Sequence, residues 1–215
     1  MKKQEKEKFL LEKLKEMSIY ETGLYDQGLC FVAGVDEVGR GPLAGPVVAA
    51  CVVLPKDFQV LGIDDSKKVS EKNRESLYLE ITGGALAFGI GIVDNGIIDQ
   101  INILEATKMA MKMAIEEANG KLNGAIQHIL IDALTLKEVK TPQTGIVKGD
   151  AKSVSIAAAS IVAKVTRDRM MLEYHRQYPG YAFDRNKGYG TALHYEGLKA
   201  VGHCEIHRKT FINVK

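Results

Sequence analysis

No stretch of this chain approaches the roughly 20 uncharged apolar residues that a helix needs to cross a bilayer, so no membrane span is expected. Cysteine is scarce. The three present, Cys30, Cys51 and Cys204, lie far apart without a CxxC pair, which argues against a disulfide framework and a structural zinc site. They read as buried or idle thiols. Charge of one sign is also lacking. The formal net charge is +2, which neither demands nor excludes nucleic acid, since a local basic face matters more than the total. The lysines of Met1–Glu16 are followed by no apolar segment of the kind a secretory signal needs, so a cytoplasmic protein is expected. Internal repeats and low-complexity linkers are absent as well. What is there is an ordinary globular composition, 46% hydrophobic and 26% charged over 215 residues. That length suits one domain with a real core and a helical appendage.

The apolar pattern predicts the order of elements. Residues 2–17 are dense in Lys and Glu, with Phe9, Leu10, Leu14 and Met17 at helical spacing, which predicts an amphipathic helix lying on the main body. Residues 1–28 are read as an N-terminal helical extension and 29–215 as the main domain. Phe31–Val35 and Val47–Leu54 are Val-rich runs joined by the Gly- and Pro-rich Gly39–Pro46, the mark of a β-hairpin with an elaborate connection. Leu86–Val93 predicts a third strand, Ile101–Asn119 a helix, Ile126–Ile131 a short strand buried on both faces, and Gly145–Lys148 another short strand. Ser153–Tyr178, Ala-rich at its start, predicts a long helix that ends before Pro179 and Gly180. Three strands in succession and then helix–strand alternation predict an α/β fold, a mixed sheet flanked by helices. The first three strands are expected to be antiparallel and the later ones parallel.

Acidic residues close these strands. Asp36 and Glu37 end the run Phe31–Val35, and Asp132 ends Ile129–Ile131. A carboxylate cannot stay unpaired in the core, because desolvating it costs too much. Each must reach the rim, where open α/β sheets bind ligands. Adjacent strands would bring Asp36 and Asp132 together, and Asp150, ahead of the long helix, could close the group. Clustered carboxylates take up protons unless a divalent ion sits among them. Hard oxygen ligands select Mg²⁺ or Mn²⁺ over zinc, and two such ions roughly 4 Å apart can activate a water and stabilise a phosphodiester's leaving oxygen. For any one acid alone, a polar residue where the chain surfaces is the better reading; three segments together favour a site. Gly39–Arg40–Gly41–Pro42 adds glycines that let backbone approach a ligand and an Arg suited to phosphate. By itself it reads as a wide turn.

Together these segments go beyond pattern. Ala33–Gly34–Val35–Asp36–Glu37–Val38–Gly39–Arg40–Gly41–Pro42–Leu43–Ala44–Gly45–Pro46–Val47–Val48 resembles the opening signature of ribonuclease HII, the type 2 ribonucleases H. Asp65–Ser66–Lys67–Lys68, Leu130–Ile131–Asp132–Ala133, Lys148–Gly149–Asp150–Ala151–Lys152–Ser153, the segment Ala157–Asp168, Lys187–Gly188–Tyr189–Gly190–Thr191 and His207–Arg208–Lys209–Thr210–Phe211 follow in the same order. The resemblance runs from about residue 30 to the end. It implies the ribonuclease H-like fold, a mixed five-stranded sheet with helices on both sides and a helical C-terminal part that helps hold the duplex, all within 29–215. It implies four metal-binding catalytic acids at Asp36, Glu37, Asp132 and Asp150. Gly39, Arg40 and Gly41 would recognise the 2′-hydroxyl of the ribonucleotide at an RNA–DNA junction, the group that distinguishes RNA from DNA at one position. Tyr189 would stack on the next sugar and check that it is deoxyribose. Ser66, Lys67, Lys152, Ser153 and Lys164 sit in matching segments and are candidate phosphate contacts, with solvated lysines and helix-capping serines as the plainer reading. His207 and Asp168 read as structural. Asn186 departs from the pattern, standing where relatives often carry His.

The resemblance further implies cleavage of the RNA strand of RNA–DNA hybrids, nicking 5′ of single ribonucleotides in duplex DNA, 5′-phosphate and 3′-hydroxyl ends, Mn²⁺ or Mg²⁺ as cofactor, and a monomer. The biological task would be removal of misincorporated ribonucleotides and help in clearing RNA primers. The sister class, ribonuclease HIII, usually carries a separate N-terminal domain, for which about thirty residues before Phe31 are too few. It also tends to have Lys where Arg40 stands. A junction resolvase would share strand-end acids but not Gly39–Arg40–Gly41 with Lys187–Gly188–Tyr189, and a non-catalytic hybrid-binding module would have lost an acid. A sliding clamp is a conceivable partner, but Thr210–Lys215 contains Phe211 and no clear clamp-binding pattern.

Overall fold

Short apolar runs rich in valine and isoleucine fit strands with both faces covered, and five strands form the central sheet. They are β1 (Val32–Val38), β2 (Val47–Val53), β3 (Ala87–Val93), β4 (His128–Asp132) and β5 (Gln143–Ile146), in the order β3-β2-β1-β4-β5. The computed structural model describes residues 3–212. β1–β2 and β2–β3 pair antiparallel, and β1–β4 and β4–β5 parallel, which is the expected mixed sheet of a ribonuclease H-like fold. β5 begins two residues earlier than its apolar end suggests, because Gln143 and Thr144 pair with Ile129 and Leu130 through backbone alone.

Helices cover both faces. α4 (Asn95–Lys121) lays Ala110, Met111 and Ala114 on one face, against Ala33, Val35 and Ile131. α5 (Val154–Gln177) and α3 (Glu71–Gly84) cover the other, where Ala158, Ile161 and Ile81 meet Val48, Ala50 and Val52. The approach is close. A Cβ on Gly34 of β1 would stand 2.0 Å from the backbone carbon of Ser155, so only glycine lets α5 lie there. Small residues on sheet and helix thus set how deeply α5 sits.

The N-terminal segment forms α1 (Lys3–Met17) and α2 (Ile19–Asp26). Lys2 lies outside the described residues. Met17 is buried and Leu14 packs on the core beside it, as the helical spacing predicts, but Phe9 is 55% exposed. A polar anchor adds to this. Glu21 of α2 is buried, and its Oε1 accepts from Ser153 Oγ at 2.5 Å, from Ser155 N–H at 3.0 Å and from the Ser155 hydroxyl. It thereby caps α5 from another helix.

The periodic reading finds α4 from Ile101, whereas the helix starts at Asn95. Asn102 has φ 68 within it and accepts from the N–H groups of Leu104 and Glu105, acting as an internal cap. The expected helix is therefore the part beyond this kink. α6 (Phe183–Asn186) and α7 (Ala192–Val201) complete a helical C-terminal part. Cys30, Cys51 and Cys204 are all unpaired, and among the described residues no helix is long and apolar enough to cross a membrane.

Candidate active site

The parallel pairing of β1 with β4 builds the site. Val35 is in register with Ile131, so Asp36 and Asp132 come next on neighbouring strands. With Val35 and Ile131 facing α4, both acids fall on the face that α5 covers. Asp36 and Glu37 are not beyond the strand end, as the sequence suggests. β1 runs on to Val38 because β2 continues the ladder, pairing Asp36 with Ala50 and Glu37 with Ala49. Asp150 sits in a 3₁₀ turn (Gly149–Ala151) after Lys148, whose φ of 57 is left-handed. Asp132 Oδ1 accepts from Gly149 N–H at 2.7 Å, which ties that turn to β4.

A cavity of about 390 Å³ brings these acids together. Asp36, Glu37, Asp132, Asp150, Gly39, Arg40, Gly41, Ser66, Lys67, Lys164 and Tyr189 all line it, with Val38 and Ser160. Lys152 and Ser153 do not. Lys152 is exposed elsewhere, and Ser153 is fully buried, its hydroxyl spent on Glu21 and its oxygen accepting from Ile156 N–H as the cap of α5. Ser153 thus takes the capping place, the plainer expectation.

Burial sets the electrostatics. It pushes the Asp36 carboxyl well above the usual range; Glu37 and Asp132 add to that rise, while a hydrogen bond from Ser160 opposes it. Burial also raises Glu37 against the pull of Arg40, whose Nη1 lies 3.4 Å from Glu37 Oε1. Burial raises Asp150, helped by Asp65 and Asp132 and opposed by Lys67. Lys67 is drawn down by its own burial, but Asp65, Asp150 and Asp36 outweigh that and raise it. Lys164 is paired with Asp168 at 2.6 Å, which bears out a structural ion pair for Asp168. As the side chains stand, no three Asp, Glu, His or Cys among the described residues meet as one metal-binding group. The acids face one cavity, each held by a different donor, and like charges keep them apart.

Two buried arginines escape the sequence reading. Arg208 donates to the carbonyls of Gly39, Arg40 and Gly45, and Arg167 to those of Pro46, Ala44 and Lys187. They hold the Gly39–Pro46 connection from beneath and fasten it to the segment carrying Tyr189. A Cβ on Gly39, at φ +93, would stand 2.3 Å from Arg167 Nε. Tyr189 is 42% exposed at the cavity rim, with its Cε1 only 3.6 Å from where a Cβ of Gly41 would be. Asn186 takes a structural place, donating to Tyr181 O and accepting from Gly188 N–H. Ser160 was within a matching segment but carried no signal of its own, since an α5 serine among alanines reads as core.

Comparison with known proteins agrees. The family model for ribonuclease HII matches residues 33–214. The ribonuclease HII of Listeria innocua is 56% identical over 214 residues, covering 100% of this chain and 80% of its own. Among solved structures, the ribonuclease HII of Archaeoglobus fulgidus, determined in complex with PCNA, superposes with a TM-score of 0.71 at 25% identity over 86% of this chain and 96% of that one. Bst-RNase HIII in complex with Mn²⁺ shares the fold at a TM-score of 0.66 and 21% identity, over 80% of this chain and 63% of its own. With its model matched over most of its length and a relative more than half identical across all of it, this chain belongs to the ribonuclease HII family, the ribonuclease H endonucleases that act on RNA–DNA hybrids.

Proposed function

We propose that this chain cuts the RNA strand of hybrids internally and nicks duplex DNA 5′ of single ribonucleotides, leaving 5′-phosphate and 3′-hydroxyl ends. The observation that carries this reading is the convergence of four carboxylates from three chain segments on one cavity rimmed by Gly39–Arg40–Gly41 and Tyr189. Asp36, Glu37, Asp132 and Asp150 would hold two divalent ions, Mg²⁺ or Mn²⁺. The donors fit in kind. All are hard oxygens, Glu37 Oε2 is buried without a hydrogen-bond partner, and the rise that Asp132 causes in Asp36 and Asp150 is one a cation relieves. When bound, such ions supply a water activated at neutral pH and neutralise charge on the leaving oxygen.

The rest falls to the chain. Gly39, Arg40 and Gly41 read the 2′-hydroxyl, in a loop whose carbonyls Arg208 keeps fixed. The Tyr189 ring packs on the following sugar and leaves no room for a second hydroxyl. Ser66, Lys67 and Lys164 contact phosphates within the cavity, and Lys152 does so on the duplex beyond it. Residues 29–215 form the catalytic domain, acting as a cytoplasmic monomer on ribonucleotides left in DNA. A continuous hybrid incubated with Mg²⁺, Mn²⁺ or EDTA tests the chemistry. Internal cuts with 5′-phosphate ends are expected with an ion and none in EDTA; undiminished cutting in EDTA overturns the ion reading.

A further inference from the structure

Two buried histidines that the cleavage chemistry does not use are joined to Tyr189. His194 is 0% and His207 1% exposed, and their Nε2 atoms stand 2.9 Å apart. One must donate and the other accept. Both ends of the pair give the same answer. The Cys204 N–H donates to His207 Nδ1 at 2.9 Å, shorter than the 3.2 Å to the Cys204 thiol, which can also donate, and the 3.3 Å to the Cys204 carbonyl; a backbone N–H can only donate, so that nitrogen carries no proton. The His207 proton is therefore on Nε2, aimed at His194. At the other end His194 Nδ1 lies 2.9 Å from the Tyr189 carbonyl, which can only accept, so the His194 proton is on Nδ1 and its Nε2 is free to accept. The chain runs from Cys204 through His207 and His194 to the Tyr189 carbonyl with every proton accounted for and both rings neutral.

The surroundings keep it so. Tyr181 stands edge-on to both rings and Phe183 edge-on to His194 and tilted against His207, at centroid distances of 4.8 to 6.1 Å. Burial draws both imidazoles down, His207 to about 4 with His194 adding to the fall. The far end is a segment that needs holding. Lys187 and Gly188 both have positive φ, 49 and 88, a conformation a lysine adopts only when its surroundings impose it. Arg167 takes the Lys187 carbonyl, Leu43 N–H takes that of Gly188, and His194 and Thr191 N–H share that of Tyr189. The residue after His207 is Arg208, which holds Gly39 and Arg40.

We infer that His207 and His194 are positioning residues that set the Tyr189 ring against the sugar following the ribonucleotide, and so govern discrimination between deoxyribose and ribose at that place. This rests on the proposed role of Tyr189. Adjacent residues of the C-terminal segment would then hold both halves of junction recognition, Arg208 the loop for the ribose and His207 the ring for its neighbour.

The test compares kcat/KM on two DNA duplexes, each with a ribonucleotide, followed on its 3′ side by a deoxyribonucleotide in one and by a ribonucleotide in the other. His207→Gln places an amide nitrogen where Nε2 was and still donates to His194; His207→Asn keeps the Cys204 end and cannot reach. The Asn variant is expected to lose the preference for deoxyribose by on the order of tenfold, since small displacements of a positioned group carry effects of that size. The Gln variant keeps it. A wild-type preference that survives His207→Asn overturns the relay alone. A wild type that cuts both duplexes equally fails the reading of Tyr189, and the inference falls with it. Should the variants not fold, imidazole nitrogen shifts of the wild-type protein decide: Nδ1 bare in His207 and protonated in His194 is required, and any other pairing overturns the relay.

Discussion

Arg208 and Arg167 are fully buried, and each spends its guanidinium on backbone carbonyls. Burial lowers both, to about 9 and about 10, with Arg167 adding to the fall at Arg208; each still carries its charge at neutral pH. Arg208→Lys retains the charge but cannot fork to several carbonyls. The substitution is expected to destabilise by roughly 3 kcal/mol, since it strands buried polar groups. Urea unfolding checks this, and a midpoint equal to wild type contradicts it. Asp132→Asn should behave oppositely. Its oxygen can still accept from Gly149 N–H, and one like charge leaves the cavity, so melting should stay level or rise while cleavage falls on the order of a thousandfold, the scale of losing a placed electrostatic group. A parallel loss of folding and activity would make Asp132 merely structural. Asp36, Glu37 and Asp132 were legible because a carboxylate after an apolar run is a local signal. The arginines were not, because all but one of their partners are carbonyls 121 to 169 positions away along the chain, the exception being Lys187, and a carbonyl leaves no mark on composition.

At the scale of elements, α5 matters most, since it lies on β1 and carries Ser160 and Lys164 to the cavity. Gly34→Ala would drive a methyl into the backbone at Ser155 and should cost about 3 kcal/mol or more, the upper range of overpacking. A thermal melt within a degree or so of wild type would show that α5 can move aside. The C-terminal helices depend on the histidine pair. His207 stands near 4 when folded against 6.5 when free, so between those values the unfolded chain binds a proton that the folded one does not. Stability from this group is lost as pH falls through that window, by about 2 kcal/mol from pH 7 to pH 5. The raised carboxyls of Asp36 and Asp150 titrate with the opposite slope, so the difference between wild type and His207→Gln isolates the effect; no difference in slope contradicts it. Most of the strands could be read because they are short apolar runs, the mark of strands covered on both faces. α3 could not, since Leu77 and Ile81 are its only fully buried residues and a helix so sparsely apolar has no periodic stripe. α7 buries only His194 and Gly197, neither of which reads as core in sequence, and it is marked mainly by its Thr191 cap.

Across the whole molecule, sheet order does the assembling. β1 in third place, antiparallel to β2 and parallel to β4, puts Asp36 beside Asp132, and the turn after β5 delivers Asp150 to the same cavity. The C-terminal segment then folds back so that His207 bridges Ala44 and Arg208 reaches Gly39, joining the first strand's loop to the chain's far end. The order and direction of the strands were visible in the apolar pattern, whereas α3, which separates β2 from β3 where three strands in succession were expected, was not. The meeting of residues 39–46, 187–189 and 204–208 was visible only as a family resemblance, because nothing local links segments so far apart. On the proposed function, this one cavity recognises a lone ribonucleotide and cuts beside it. The most direct test is a DNA duplex carrying a single ribonucleotide, incubated with Mg²⁺ or Mn²⁺ and mapped at nucleotide resolution. One nick on the 5′ side of the ribonucleotide, abolished by EDTA and by Asp132→Asn, is the expected result. Cutting of continuous hybrids with the single ribonucleotide left intact would contradict it.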